Sequence, residues 1–418
     1  MTNQGNSLCE ETRRPQAAHQ PKHQQLHITE DFTFDELCEA SHNSSFESYW
    51  EAPSRPVLGQ VFEQRGPSWR PSARAALPSW FSNLLPEGTL RDTIARAVGV
   101  KAEREFALLA RIGRDDLPGA LRLHPVDIEA DMSMPDDEIP AVEHADASGS
   151  IKFSLAGVQL KFSLTEHGRG LTIPATGESG TWTAKFPDAR VGYEGVPEAE
   201  YAAMQLAAAS GIDVPETRLV DVSGIGGLPE WARTNGWALL VRRFDRRLAS
   251  SRVHAEDLAQ VLDIRPARKY ERANFETVAR TVAALSGAER VGEVIDRIVL
   301  NILVGNGDAH VKNWTFIYPD GSRPQLSPAY DIVPTVLYVP HDDLGLKLNG
   351  SRSFADVDLA AFGRLAEKAG WDGGLGRERA DRAVQRVLAA WPVLGEHLGR
   401  DALRRLTERR DTLRKLLP

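Results

Sequence analysis

Between residue 151 and the C-terminus the hydrophobic pattern changes period once, and that change restricts the fold more than any other feature. From 151 to about 245 apolar residues alternate in short runs, as in 181–186 (TWTAKF) and 237–244 (WALLVRRF), the pattern of half-buried strands. Further strands are expected at 152–154, 160–165 and 219–223. The exception is 197–210 (PEAEYAAMQLAAAS), an Ala-rich helix closed by Gly211. From about 255 onward the spacing is helical, with candidates at 256–262, 274–285, 291–303, 355–369, 378–392 and 400–416. Strands first and helices afterwards predict an α+β chain of two lobes with a cleft between them.

Upstream, residues 1–28 are polar and aperiodic and are expected to be a disordered tail. Its histidines His19, His23 and His27 lack the Cys or carboxylate company of a metal site. A first globular unit is expected over 29–123. It would hold strand-like pieces near 56–63 and a helix capped by Thr89 or Asp92 that ends at Gly99. A second helix is expected over 103–112, stopped by Gly113. Residues 124–150 are acidic, contain Pro and have no period, as a linker does. The two lobes then occupy 151–250 and 251–418.

Hydrophobic residues make up 42% and charged residues 26% of the 418, which excludes a wholly disordered or collagen-like chain. A net charge of −8 argues against a broad basic nucleic-acid surface. Cys9 and Cys38 are too few for a disulfide scaffold and lack CxxC spacing. No apolar run approaches the ~20 residues that span a bilayer. The polar N-terminus carries no signal-peptide core, so no membrane association and a cytoplasmic location are expected. Of 50 basic residues only 10 are lysines. In a chain that defaults to arginine, each lysine raises the question of why an ammonium is used.

The densest chemistry lies in 301–318 (NILVGNGDAHVKNWTFIY), where Asp308, His310, Lys312 and Asn313 sit between an apolar helix end and an apolar strand. Asp308 and Asn313 have the spacing of a protein-kinase catalytic loop, in which Asp takes the acceptor hydroxyl proton and Asn binds Mg²⁺. A surface turn rich in Asx and Gly would use the same letters. Asp331 is the lone carboxylate in the apolar run 326–334 (LSPAYDIVP), a costly place unless it is paired or metal-bound. Lys185 in TWTAKFP has the setting of a strand lysine that pairs with nucleotide phosphates. Its acid partner is expected on the Ala-rich helix, Glu200 in preference to Glu198. The alternative is an edge-strand lysine with its head in water. Ser154 to Lys161 (SLAGVQLK) is a small turn able to lay N–H groups on phosphates, or a plain hairpin turn. The basic run RRFDRR at 242–247 is either functional or a solvated turn ion-paired to Asp245 and Glu256.

These segments, in this order, resemble the HipA family of serine/threonine kinases from bacterial toxin–antitoxin pairs. The resemblance rests on SLAGVQLK (154–161), TAKFP (183–187), EYAAMQLAAASGIDVP (200–215), RRFDR (242–246), VHAEDLAQVL (253–262), KYE (269–271), GNGDAHVKN (305–313) and SPAYDIVP (327–334). SWFSNLLPEG (79–88) and FALLARIGRDDLPGAL (106–121) are similar to that family's N-terminal subdomain. The resemblance implies a protein-kinase-like two-lobe fold, with an N-terminal α/β subdomain and an all-helical C-terminal lobe. It implies ATP and Mg²⁺ as cofactors, Asp308 as catalytic base with Lys312 beside it, and Asn313 and Asp331 as metal ligands. It further implies nucleotide binding by Lys185, by the hinge residues Arg242, Arg243 and Phe244, by His310, and by the loop of Ser154, Ala156, Gly157, Val158, Gln159, Leu160 and Lys161. Ser154 matches a serine that such kinases phosphorylate on themselves, which drives the loop out and inactivates the enzyme. Arg242 stands where such hinges commonly carry an acid.

The resemblance also implies a protein substrate such as an aminoacyl-tRNA synthetase, growth arrest as outcome, and a small helix-turn-helix antitoxin of the HipB kind. DNA would be reached only through that antitoxin. Two alternatives come from other classes: an antitoxin-associated corepressor with ATP as a structural ligand, and a small-molecule kinase with similar lobes.

Overall fold

The computed structural model describes residues 25–30, 77–112, 116–126, 160–168, 170–174, 178–187, 192–246, 252–320, 323–339 and 341–417. The first unit comprises β1 (Gln25–Glu30), α1 (Ser79–Ser82), α2 (Gly88–Ala97), α3 (Glu105–Ile112) and β2 (Leu121–Val126). β1 pairs antiparallel with β2, Gln25 opposite Val126 and Glu30 opposite Leu121. Both strands overrun the expected boundaries, β1 into the tail and β2 into the linker. Pairing between segments so distant in sequence leaves no local period to read. α2 starts at Gly88, after an extended Glu87, so neither Thr89 nor Asp92 is its cap. The strand pieces near 56–63, the strand at 152–154, Gly113, Ser154 and Ala156 to Gln159 lie outside the described residues.

Next come β3 (Lys161–His167), β4 (Gly170–Thr172), β5 (Trp182–Lys185), α4 (Val196–Ala209), β6 (Thr217–Asp221), β7 (Ile225–Gly226) and β8 (Trp237–Arg242). The six strands form one sheet in the order β6-β8-β5-β3-β4-β7. Strand alternation puts Phe162, Leu164, Trp182, Ala184 and Leu240 on one face, where Trp80, Leu84, Leu85, Ile94 and Leu108 of the first unit meet them in one core. On the other face Lys161 stands directly opposite Lys185. Like charges in that position cost stability unless acids counter them.

The second lobe contains β9 (His254–Asp257), α5 (Leu258–Val261), α6 (Phe275–Ser286), α7 (Val291–Val304), β10 (Thr315–Tyr318), β11 (Gln325–Leu326), α8 (Leu359–Lys368), α9 (Gly373–Ala390), α10 (Leu394–His397) and α11 (Arg400–Asp411). Beside the expected helices it carries a three-stranded sheet, β11-β10-β9, so it is not all helical. The helix expected over 256–262 is divided for the same reason. Residues up to Asp257 pair with β10, Asp257 opposite Thr315. Only then does Asp257 cap α5, accepting from Gln260 N at 2.8 Å while Gln260 Oε1 accepts from Asp257 N at 2.9 Å. α7 is buried almost all round, which makes it the spine of this lobe. α4 lies in sequence between β5 and β6 of the sheet, yet its Ala202, Ala203, Met204 and Leu206 belong to the same core as α7 and α9. It therefore joins the lobes. Among the described residues no helix is long and apolar enough to cross a membrane.

Candidate active site

α7 ends at Gly305, whose φ of 72° is the left-handed helix stop that glycine favours. The chain beyond it is pinned by side chains. Asn306 Nδ2 donates to Asn301 Oδ1 at 2.9 Å and to Asp331 O at 3.3 Å, and Asn306 Oδ1 accepts from Asp308 N at 3.0 Å. Gly307 N donates to Thr335 Oγ1 at 2.7 Å. A Cβ on Gly307 would press on the Asp342 carboxylate, which would have to move aside. The predicted catalytic loop is thus held on the end of a buried helix.

Asp308 keeps about half of its side-chain surface exposed, at 53%. It accepts a hydrogen bond from the Tyr270 hydroxyl. Its position between the cleft walls raises its carboxyl above the ordinary range. His310 Nε2 lies 3.9 Å from Asp308 Oδ1. Burial, helped by the charge of Lys269, pushes the imidazole down to about 3, so His310 is neutral at physiological pH.

Lys185 donates to both Glu200 and Asp331. The sheet supplies the lysine, α4 the glutamate and the second lobe the aspartate, so one ammonium ties three elements together. Glu200 is fully buried while Glu198 is only half-buried, as the stripe of α4 predicts. Lys161 Nζ lies 3.6 Å from Asp331 Oδ2. Burial alone would raise Asp331, but the two ammoniums hold it well below the carboxylate range. Burial beside Lys185 lowers Lys161, even with Asp331 near. Asp331 has a backbone φ of 57°, a left-handed value uncommon for a side chain. Such strain persists only where the surroundings enforce it, and it is common at functional sites.

Asn313 Oδ1 is buried with no hydrogen-bond partner among the described residues. Asn313 and Asp331 line one small cavity with Asn306 and Tyr330. An amide oxygen and a carboxylate are hard oxygen donors of the kind that suit Mg²⁺, so this pair of residue types fits that ion.

A larger cavity of about 350 Å³ runs between the lobes, lined by Lys161, Lys185, Asp308, His310, Lys312 and Asp331 and by residues 242–245. In the hinge, the Arg243 side chain is taken up within the fold. Its guanidinium is spent on Asp116 at 2.6 Å, Asp245 at 2.9 Å and Ser163 Oγ at 3.2 Å, so its side chain is a structural tie rather than a free nucleotide contact. The N–H groups of Arg242 and Arg243 are donated to Glu216 O and Thr181 O. Arg242 lays its guanidinium over Trp182, 5.2 Å from the ring centre. Phe244 tilts against Tyr330. Glu256 accepts from Trp80 Nε1 at 2.7 Å and Tyr318 Oη at 2.6 Å.

Lys312 lines the cleft but turns toward the first unit, donating to Asn83 O at 3.1 Å and Glu87 Oε1 at 2.6 Å. Leu160, the first described residue of the run 154–161, accepts from Phe186 N at 3.1 Å. Among the cleft residues with no role assigned from the sequence are Glu87, Lys269 and Tyr270. The motifs PEG and KYE marked their places, but nothing local joined segments so far apart.

Residues 28–124 match the family model described as HipA N-terminal domain, and 153–392 match the HipA-like C-terminal domain. A candidate kinase of Sinorhizobium fredii, Y4dM, is 42% identical over 361 residues, covering 84% of this chain and 86% of that one. The serine/threonine-protein kinase toxin HipA of Shewanella oneidensis is 29% identical over 290 residues, covering 61% and 62%. The solved Shewanella oneidensis MR-1 complex of HipA, HipB and operator DNA aligns over 80% of this chain and 83% of that one, with a TM-score of 0.60 at 23% identity, a likeness of fold. With both domain models matched in order around a kinase-like cleft, the chain belongs to the HipA family of kinases.

Proposed function

We propose that the chain is an ATP- and Mg²⁺-dependent serine/threonine protein kinase of the toxin type. The observation that carries this reading is the convergence of Lys185, Glu200 and Asp331 from three elements into the cleft that also holds Asp308. Lys185, oriented by Glu200, pairs with the nucleotide phosphates. Asp308 orients the acceptor hydroxyl and takes its proton as the oxygen attacks the γ-phosphorus and ADP leaves. The neutral His310 and the ammonium of Lys161 border the same space. Mg²⁺ held by Asn313 and Asp331 would supply charge neutralisation at the phosphates. Most of the rate enhancement comes from positioning and preorganised charge.

The finer assignments rest on family likeness. Ser154 is the self-phosphorylated serine, and a dianionic group there repels ATP phosphates from the cleft. The protein target is an aminoacyl-tRNA synthetase, and its modification arrests growth. The partner is a small helix-turn-helix antitoxin, in keeping with the HipB and operator DNA of the Shewanella complex. The direct test is incubation with labelled ATP and Mg²⁺, comparing the parent with Asp308→Gln. Asp308-dependent labelling of the chain or of extract proteins is expected; its absence would sink the reading.

A further inference from the structure

The segment 79–88 is part of the first unit, yet it is fastened to the second lobe by buried hydrogen bonds. Trp80 Nε1 donates to Glu256 Oε1 at 2.7 Å, Gln260 Nε2 to Trp80 O at 3.3 Å, and Asn83 Nδ2 to Ile264 O at 2.8 Å. This docking delivers Glu87 to the wall of the cleft. There its two carboxylate oxygens divide between two lysines, Oε1 taking Lys312 at 2.6 Å and Oε2 taking Lys269 at 2.9 Å. The three side chains are 14%, 4% and 11% exposed, so water screens the triad weakly. Both lysines adjoin the catalytic base. Lys312 lies in its loop, and Lys269 Nζ sits 5.4 Å over the ring of Tyr270, whose hydroxyl donates to Asp308.

We propose that Glu87 is a positioning residue of the active site, holding Lys269 and Lys312 beside the catalytic base so that the first unit completes the cleft of the second. The inference rests on the kinase reading of that cleft. Without the carboxylate, two buried ammoniums share one wall with no anion between them, and both turn away from each other. With it, they are fixed where the transferred phosphoryl group carries its charge, and Lys269 favours the ionised form of Asp308. The lysine pair thereby has a reason to be lysine: two compact charges sharing one carboxylate need no planar fork.

The test uses the full chain and first requires Asp308-dependent phosphorylation by the parent; if the parent shows none, the kinase reading falls and takes this inference with it. Given an active parent, Glu87→Gln is expected to lower the rate at saturating ATP by about tenfold or more. The ATP concentration for half-maximal rate should move by less than about threefold. Combined with Lys269→Met, the losses should come to less than their product, as for groups acting as one unit. A parental rate in Glu87→Gln, a defect confined to half-saturation, or fully multiplicative losses would each overturn the proposal. Should Glu87→Gln melt early, Lys269→Met alone decides. It leaves the Glu87–Lys312 and Asn83 contacts in place, so a parental rate in that variant rejects the proposal and a matching loss supports it.

Discussion

Two buried ion clusters lie on either side of the hinge, and they are built from different cations. Behind it, Arg243 and Arg246 bind Asp116 and Asp245 through short, multiple hydrogen bonds, with Arg246 Nη2 also donating to Leu117 O at 2.8 Å. In front of it, Lys161 and Lys185 face Asp331 and Glu200. The arginine cluster is forked: planar arrays of donors join the first unit to the sheet, and its Arg243 and Asp245 reach the wall of the main cavity. The lysine cluster is made of point charges. It borders the main cavity, and Glu200 Oε2 has no hydrogen-bond partner among the described residues. Point charges on flexible stems can exchange a carboxylate for a phosphate, whereas forked pairs cannot do so without losing the fold.

The comparison is tested most severely by activity. Asp308→Gln should lower phosphorylation by about 10²–10⁴-fold, as loss of a general base does. Lys185→Met should cost on the order of 10²–10³-fold, the scale of a lost preorganised charge, read as initial rate with labelled ATP. Arg243→Met should behave oppositely. It leaves Asp116 and Asp245 short of a cation, so denaturant unfolding should show a loss of about 3–5 kcal/mol. The ATP concentration for half-maximal rate should stay near the parental value. Equal activity losses in Lys185→Met and Arg243→Met would erase the distinction.

Acid separates fold from activity more gently. Burial alone would raise Asp116 and Asp245, but Arg243 and Arg246 hold both below the ordinary range. A depressed carboxylate contributes stability that is present above its unfolded value, about 4, and lost as pH falls through the folded value. Unfolding should therefore set in below about pH 4, and Asp245→Asn should flatten that limb in a pH series of melting curves. Asp308 is shifted upward, so the acid limb of the rate should appear at higher pH than the loss of fold. The smallest expected change in fold belongs to Ser154→Ala, which should unfold like the parent while losing most self-incorporated phosphate; unchanged incorporation would move the modified serine elsewhere.

Much of the site was legible because its parts are local. The run from Gly305 to Asn313 carries its own turn chemistry, and α4 presents Glu200 on its buried stripe. Lys185 in a strand and Asp331 in an apolar run each stood out as a charge in an apolar setting. What escaped depends on contacts between distant segments. β1 and β2 pair across the whole first unit. The start of a helix expected at 256–262 became a strand because β10 lay beside it. The pairing of the Arg243 side chain with Asp116, 127 residues away, left no mark in either local pattern.

The sequence by itself determined the order of lobes, the loop with Asp308 and Asn313, and the lysine and glutamate of the buried pair, since period, turn residues and an isolated charge act over a few residues. Only the tertiary structure decided which charges share a space. The docking of 79–88 on β9 and α5 places Glu87 between Lys269 and Lys312. No pattern within any of the three segments encodes that meeting, because a Coulomb interaction depends on distance in space and not along the chain.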